Sequence, residues 1–360
     1  MRIYVNNADI TDRIVSRSVR WKRYGTFRSS LSFTLEPQFT EGISIEHGMR
    51  VKMTDDFLQT VFCGVVTASS EEYVTAYRSS LTVRCQGLEA VAARRAAGYF
   101  STDAQTTGAA AKAVFRQFFS SSNDEGIIYN PALFSEGAAI SGYTAYGKSL
   151  SKIFDELGAA DGSRWWIIPD GTFYFMNKIE VSSSPYCVDL TANESNALTD
   201  LMSFSAVRSG DGYRNVQYVS GANGITGRAE NASEISRMAR FGGTGRYENA
   251  IFVPLIQTAA EATAAAENIL RSYEENGFKA VFSTNTYGLG LFNSINITAP
   301  QFGINGPVPF IITDISAKDR PSENGALAFT YTVIAKMSAS GASFIRPPEY
   351  WTETIGRISG

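Results

Sequence analysis

Short runs of alternating apolar and polar residues fill the first 86 residues, and no helical pattern separates them. In Ser30–Leu35, for example, Leu31, Phe33 and Leu35 share one face of an extended strand. Closely spaced short strands are typical of a small barrel or sandwich. We therefore predict a β-domain from six strands: Arg2–Val5, Ile14–Trp21, Ser30–Leu35, Gly48–Met53, Val61–Ala68 and Leu81–Cys85.

The next segment has the pattern of a small module of helices and strands. The Ala-rich run Leu88–Ala97 and the run Gln105–Phe119 predict helices, and the polar residues 120–147 predict a loop. A third helix is predicted over Ser149–Leu157, because its apolar residues recur with helical spacing. Gly158 is a suitable residue to end it.

An aromatic hairpin is predicted directly after this helix. The runs 164–168 and 172–175 flank a Pro-Asp-Gly turn. Adjacent strand residues point to opposite faces, so one residue of the Trp165-Trp166 pair should be in the core. The other should be exposed or packed on the helix.

Strand patterns return after residue 186 and surround one strong helix. Thr258 and Glu261 form a capping box at its start, and Gly277 is suited to end it. The predicted strands are Ala206–Arg208, Asn215–Ser220, Phe278–Ser283, Ser294–Thr298, Pro309–Ser316 and Ala326–Ala335.

The two β-rich segments resemble each other. A short apolar strand, a turn and a longer apolar strand occur at Val51–Met53 with Val61–Thr67, and again at Ile295–Ile297 with Pro309–Ile315. This permits two related barrels. We predict a mainly β chain with α+β insertions: a first barrel (1–96), an α+β module (97–185), a second barrel (186–340) with a helical insertion around 230–280, and a C-terminal tail (341–360).

Residues for catalysis are scarce. The chain has one histidine, His47, and three cysteines without a CxxC pair, which argues against metal sites and disulfide frameworks. Asp155 and Glu156 are adjacent on the predicted helix and do not face one another. We therefore predict no catalytic, cofactor-binding or metal-binding residues. Neither a signal peptide nor a membrane span is expected.

Positive charge is concentrated near the N-terminus. Residues 1–28 carry seven basic and two acidic side chains, a local charge of +5 in a chain of net charge −3. A solvated strand face explains this, and so does a surface for an acidic partner or for nucleic acid inside an assembly. We predict that Arg17, Arg20 and Arg23 contact neighbouring components or line a passage.

The last segment, 341–360, is apolar and aromatic and follows the last predicted strand. Such a segment outside a domain is typical of a docking element. We predict that Phe344, Tyr350 and Trp351 contact a partner subunit.

The order of these elements resembles the hub proteins of bacteriophage tails and of related contractile injection systems. The resemblance rests on the opening strand, turn and Ile-Thr pair across Ile3–Thr11, the strand-to-helix step Val83–Leu88, and the helix, glycine, aromatic strand and Asp-Gly turn across 150–175. The helix Glu261–Tyr273 and the strand Phe310–Ser316 complete the series.

The resemblance implies a homotrimer in which two barrels per chain match a hexameric tail tube. Such a hub joins the tube or distal tail ring to a trimeric spike or central fibre, and DNA passes through its lumen. It is a non-enzymatic virion component, assembled in the host cytoplasm without a membrane anchor. Three alternatives stay open: a distal tail ring protein, a soluble binding module and a cell-wall carbohydrate-active enzyme. The enzyme would need two carboxylates facing each other across a cleft.

Overall fold

A computed structural model describes residues 1–25, 28–36, 44–75, 78–119, 125–177, 179–207, 213–274, 278–321, 327–337 and 343–344. Its strands are β1 (Arg2–Val5), β2 (Ala8–Asp9), β3 (Arg20–Tyr24), β4 (Ser29–Leu35), β5 (Arg50–Thr54), β6 (Thr60–Thr75), β7 (Arg78–Gly87), β8 (Ala96–Thr106), β9 (Ala139–Ser149), β10 (Arg164–Ile167), β11 (Phe173–Met176), β12 (Ile179–Glu180), β13 (Val188–Asp189), β14 (Leu201–Val207), β15 (Val216–Ser220), β16 (Thr226–Glu230), β17 (Glu248–Phe252), β18 (Lys279–Thr284), β19 (Ser294–Ala299), β20 (Ile304–Arg320), β21 (Ala328–Met337) and β22 (Ser343–Phe344). Its helices are α1 (Glu89–Arg94), α2 (Thr107–Phe118), α3 (Leu150–Ala159), α4 (Ala232–Ala239) and α5 (Ala259–Glu274).

The chain is mainly β, as the sequence predicts, and strands from both ends of the chain form one curled sheet. The strand order is β14-β18-β21-β20-β3-β4-β7-β6-β5-β1-β2. Off this path, β19 pairs with β20, and β13 pairs with β19. The inner face of the sheet holds the largest core, which includes Phe33, Phe62, Phe282 and Phe310. The division of the chain at residues 97, 186 and 341 remains a prediction.

Two groups of five strands in this sheet share one connectivity. We call β3–β7 unit A, and β14 with β18–β21 unit B. Unit A has the spatial order β5-β6-β7-β4-β3 and unit B the order β19-β20-β21-β18-β14, and every neighbouring pair is antiparallel. Each strand of one unit therefore has a counterpart at the same place in the other.

The correspondence extends to single residues. An extra residue bulges β6 at Thr67 and β20 at Thr313, at matching places against β7 and β21. Backbone hydrogen bonds next to the bulges also match: Gly48 N donates to Val66 O at 2.9 Å, and Phe292 N donates to Ile312 O at 2.8 Å. Gly48 and Phe292 both have positive φ, at 89° and 62°.

The module between the units has its own aromatic core. Helices α1, α2 and α3 pack with the β8–β9 and β10–β11 hairpins around residues such as Phe115, Phe154 and Phe173. Ser149 caps α3 by accepting the amide of Lys152, and the apolar stripe of this helix is buried as predicted. Trp166 is also buried, and it joins the module to unit B through a cluster with Ile311.

Two predictions in this module are wrong. Residues 120–147 are not all loop, because β9 begins at Ala139 and pairs with β8. Its Gly and Ser residues weaken the strand signal, and pairing with β8 and burial of alternate residues stabilise the strand instead. The predicted helix Leu88–Ala97 ends at Arg94, because Ala96 already belongs to β8.

A three-stranded sheet, β16-β15-β17, is inserted between β14 and β18 of unit B and is covered by α5. The capping box of α5 is confirmed, because Glu261 N donates to Thr258 Oγ1 and Thr258 N donates to Glu261 Oε2. Gly227 of β16 lies against the α5 backbone at Ala262, where a Cβ would not fit.

Candidate functional site

The acidic, thiol and imidazole groups that the structure describes are dispersed. In the described ranges, no three His, Cys, Asp or Glu side chains are close enough to hold a metal ion. His47 is exposed in a turn. Cys63 is half-buried, Cys85 and Cys187 are buried, and burial raises the pKa of the Cys85 thiol to about 12.

Asp155 and Glu156 of α3 are engaged in separate structural contacts. Asp155 Oδ1 accepts the indole N–H of Trp165 at 2.7 Å, in an exposed contact. Glu156 Oε2 accepts the Tyr143 hydroxyl and the Lys148 ammonium, both at 2.7 Å. The two carboxylates therefore do not form an acid/base pair.

The strongest surface feature is a basic depression on the outer side of the sheet, where β3 of unit A meets β20 of unit B. We call it the basic face. Its basic members come from the turn before β3, from β3 and from the end of β20: Arg17, Arg20, Lys22, Lys318 and Arg320.

Strand alternation produces the basic face. Arg20 and Lys22 point outward from β3, whereas Trp21 between them is 5% exposed and lies in the core. On β20, Lys318 and Arg320 are exposed and Ala317 is buried. Each strand therefore directs its basic residues at these positions outward and the apolar residue between them into the core.

Like charges lie side by side on the basic face. Arg20 lies directly opposite Lys318 in the β3–β20 ladder, an arrangement of like charges that destabilises a sheet. Within the described part of the chain, none of the five basic side chains is within ion-pair distance of a carboxylate. The face therefore presents positive charge to an external anion.

The acidic residue at this depression, Asp319, is turned inward. It is 4% exposed, and its carboxylate accepts the backbone amides of Arg17, at 2.5 Å, and Val19, at 3.0 Å. Burial raises the pKa of this carboxyl, and the hydrogen bonds from Arg17 and Val19 oppose that rise. Asp319 thereby fixes the turn that carries Arg17, whose φ is 68°.

Small hydroxyl side chains surround the basic residues. Ser32 lies opposite Arg20, Ser316 lies opposite Lys22, and Thr330 lies opposite Lys318. Arg84 extends the positive charge two strands further, because it lies opposite Ser32 on β7 and is exposed. The outer surface is thus polar and basic over several strands.

The structure separates the predicted interface residues. Arg17 and Arg20 lie together on the basic face, whereas Arg23 is on the inner side of β3, close to Glu89. Burial lowers the pKa of the Arg23 guanidinium, and the Glu89 charge opposes this effect.

Of the predicted tail contacts, Phe344 belongs to β22, whose backbone pairs with β12. Tyr350 and Trp351 lie outside the described residues.

Sequence reasoning missed Lys318 and Arg320, which complete the face from the far end of the chain. The signal was present in Ile315–Arg320, where Ile315 and Ala317 share one strand face and Lys318 and Arg320 share the other. However, alternation along one strand does not reveal which other strand it will pair with.

Comparison with known proteins identifies the fold. No protein-family model matches the sequence, and no curated protein matches it by sequence. Among solved structures, a tail protein from Neisseria meningitidis MC58 aligns over 97% of this chain and 98% of its own, with a TM-score of 0.68 and 12% identity. A 43 kDa tail protein of prophage MuSo2 from Shewanella oneidensis aligns over 93% and 96%, with a TM-score of 0.64 and 11% identity.

A component of the Escherichia coli type VI secretion system also matches, over 98% of this chain and 80% of its own, with a TM-score of 0.57 and 11% identity. That protein exhibits structural similarity to tail proteins of bacteriophage T4. This chain has the tail-hub fold. The resemblance stated from the sequence is therefore confirmed at the level of fold.

In this tail-hub fold, the basic face lies where the two five-stranded units meet. No helix among the described residues is long and apolar enough to span a membrane.

Proposed function

We propose that this chain is the structural hub of a phage tail tip or baseplate. Three copies would form a ring that adapts a hexameric tail tube or distal tail ring to a trimeric spike or central fibre. The observation that carries the proposal is the duplicated five-stranded unit: two like units per chain present six to the tube when three chains close a ring.

The hub proposal makes the protein a non-enzymatic virion component, assembled in the host cytoplasm. Its support is the tail-hub fold together with the structural engagement of the acidic pair on α3. Any cleavage of the cell wall would then be carried out by another protein.

The oligomeric state tests this proposal. The mass in solution is measured by light scattering, for the protein alone and mixed with the tail proteins encoded beside it. A mass three times the 39.2 kDa of one chain supports the hub. A hexamer supports the distal tail ring alternative. A monomer under every condition contradicts the hub and makes assays for peptidoglycan binding and cleavage the next step.

We also propose that the basic face meets an acidic surface in the assembled tail. Two partners carry suitable charge, a neighbouring tail protein and the phosphates of DNA passing through the ring. The support is the group of basic side chains in a setting of serine and threonine.

The double substitution R17E/R20E tests the basic face, with K52E/R240E as a control of equal charge change at exposed positions elsewhere. Loss of complex formation with tail proteins supports a protein partner. Normal assembly with defective DNA delivery supports a role in the passage. Normal assembly and normal infectivity contradict both. Arg23 is omitted because it lies on the inner side of β3.

The C-terminal segment is proposed to dock on a partner subunit through Phe344, Tyr350 and Trp351. Deletion of residues 345–360 keeps both strands of the β12–β22 pair. The expected result is an unchanged oligomeric state with loss of spike or fibre attachment. Attachment that survives the deletion contradicts this docking role.

A further inference from the structure

The internal repeat indicates how one copy of the chain contacts the next. Within the chain, the units are joined by backbone pairing of β3 in unit A with the second half of β20 in unit B. The paired residues run from Tyr24 opposite Asp314 to Arg20 opposite Lys318. We call this contact the inner seam.

Each partner of the inner seam has a counterpart that, in the described part of the chain, is paired on one side only. The counterpart of β3 is β14, an edge strand bonded on one side to β18. The counterpart of the second half of β20 is the second half of β6, which pairs with β7 and has no strand on its other side after Val66.

Residues at matching positions of β20 and β6 differ in solvent exposure, as expected if only β20 has a partner strand there. Ile315 and Ala317 of β20 are buried under the inner seam, whereas Ser69 and Glu71 at the matching positions of β6 are exposed. On β14, Met202 is 62% exposed and Val207 is 43% exposed.

The two ends of the long sheet are protected differently. β14 has seven residues, Leu-Met-Ser-Phe-Ser-Ala-Val, with no charge and no proline. At the other end, β2 has two residues, and its Asp9 forms an ion pair with Arg2. Short, charged edges resist pairing with another chain, whereas a longer uncharged edge is suited to it.

We propose that β14 pairs, antiparallel, with the second half of β6 of a second copy, and that this outer seam closes the ring. The inference rests on the proposed trimeric hub and names the strands that join its subunits. The inner and outer seams then alternate around a ring of six units. The contact is heterologous, since one copy contributes β14 and the next contributes β6, which permits closure after three copies.

The inner seam also sets the register of the outer one. Matching residues through the bulges at Thr67 and Thr313 places Ala206 at the position of Trp21 and Glu71 at the position of Ala317. Ala206 should therefore lie opposite Glu71 of the next copy. One residue further along, Val207 should lie opposite Ser70.

A cysteine pair tests this register. The exposed residues Val207 and Ser70 would form a non-hydrogen-bonded pair, whose Cα atoms lie about 4.5 Å apart, within disulfide range. The V207C/S70C variant should give covalent dimers and trimers under mild oxidation. The V207C/A68C variant, two residues out of register on the same face, should give few, because its Cα atoms would be about 7–8 Å apart.

A proline substitution tests the backbone pairing. Ser205 and Val207 direct their main-chain groups toward β18, so that the N–H of Ala206 points away from β18, toward the free edge. Ala206→Pro removes this donor. The substitution should not disturb the fold of one chain, because an edge strand tolerates proline where its N–H faces away from the sheet. Ala206→Ser retains the donor. The proline variant should lose the trimer and keep its circular dichroism spectrum, and the serine variant should remain trimeric.

The outcomes separate the outer seam from the hub itself. A trimer that neither forms disulfides in register nor responds to Ala206→Pro overturns the outer seam and leaves the hub standing. Equal cross-linking of the two cysteine pairs also overturns it. A protein that is monomeric in every condition and does not cross-link overturns both proposals.

Discussion

Units A and B have the same connectivity and the same bulge, yet they meet different surroundings. Their inner positions carry similar residues: Phe33 and Phe282 occupy matching sites and are both fully buried. Their outer positions differ, since Arg20 of unit A corresponds to Ser205 of unit B. Packing constrains the inner row in the same way in both units, whereas the outer row depends on what lies against each edge.

The neighbours of the two edges account for this difference. β3 is covered by β20 within the chain, whereas β14 keeps a free side in the ranges described. One junction between the repeated units is therefore made within the chain, and the matching edge of unit B has no partner strand in the described ranges.

Removal of the matched phenylalanines should have the largest effect. F33A and F282A each leave a cavity in the shared core and should lower the free energy of unfolding by about 3–5 kcal/mol. Denaturant titration followed by circular dichroism measures this, with F57A at an 80% exposed position as the control. Two separate transitions, each shifted by one variant, would show that the units unfold independently.

The next effect is a dependence of the free energy of unfolding on pH, which we expect from Glu89 at the start of α1, directly after β7 of unit A. Burial raises the pKa of Glu89 to about 7. A carboxyl whose folded pKa exceeds its unfolded pKa contributes stability below about pH 4.5 and loses it as pH rises through 7. Stability should therefore fall over this range, and Glu89→Gln should reduce the fall.

In the Glu89→Gln variant, the oxygen of the new side-chain amide can still accept the Ser29 N–H, so the substitution mainly removes the titration. Unfolding midpoints from pH 4.5 to 8 provide the measurement. Asp103→Asn, exposed on β8, is the control. An unchanged pH profile in Glu89→Gln would assign the dependence to other groups.

Substitution of Asp319 tests the hydrogen bonds that join β20 to the turn before β3, next to the inner seam. Asp319→Asn leaves one acceptor oxygen for two backbone amides and should cost about 1–3 kcal/mol. Thermal unfolding measures the loss, and Asp12→Asn at an exposed position should show none. If the two variants behave alike, Asp319 does not fix the Arg17–Val19 turn.

The smallest effect is expected at Gly48, whose positive φ is matched in unit B by that of Phe292. Gly48→Ala places a side chain at a φ of 89° and should cost about 1–2 kcal/mol, although the site has space for a Cβ. Gly98→Ala, where φ is not positive and no atom is close, is the matched control. Comparable stability of the two variants would mean that the backbone at Gly48 relaxes freely.

Local signals predicted the elements whose stability is local. Ser149 begins α3, the Thr258–Glu261 box begins α5, and the Pro-Asp-Gly turn joins β10 and β11, because each is a contact between near neighbours. The prediction missed β9, because this strand depends on pairing with β8 and on the aromatic core.

The candidate site was predicted only in part, because its residues come from two strands that are far apart in the sequence. The sequence indicated Arg17 and Arg20 through their charge. The predicted strand Ile14–Trp21 is wrong over most of its length, because β3 begins at Arg20 and Arg17 lies in the preceding turn with a φ of 68°. The sequence grouped Arg23 with Arg17 and Arg20, although this residue faces the other side of β3. It omitted Lys318 and Arg320, which are about 300 residues away along the chain.

The sequence by itself determined the mainly β composition, the two similar hairpins and the scarcity of groups for catalysis. Only the tertiary structure decided that β3 pairs with β20 and that the basic residues of both meet on one face. It also decided that, among the residues described, β14 and the second half of β6 each have a partner strand on one side only. The physical reason is that strand pairing depends on the curvature and closure of the whole sheet, whereas sequence patterns report which residues one strand buries.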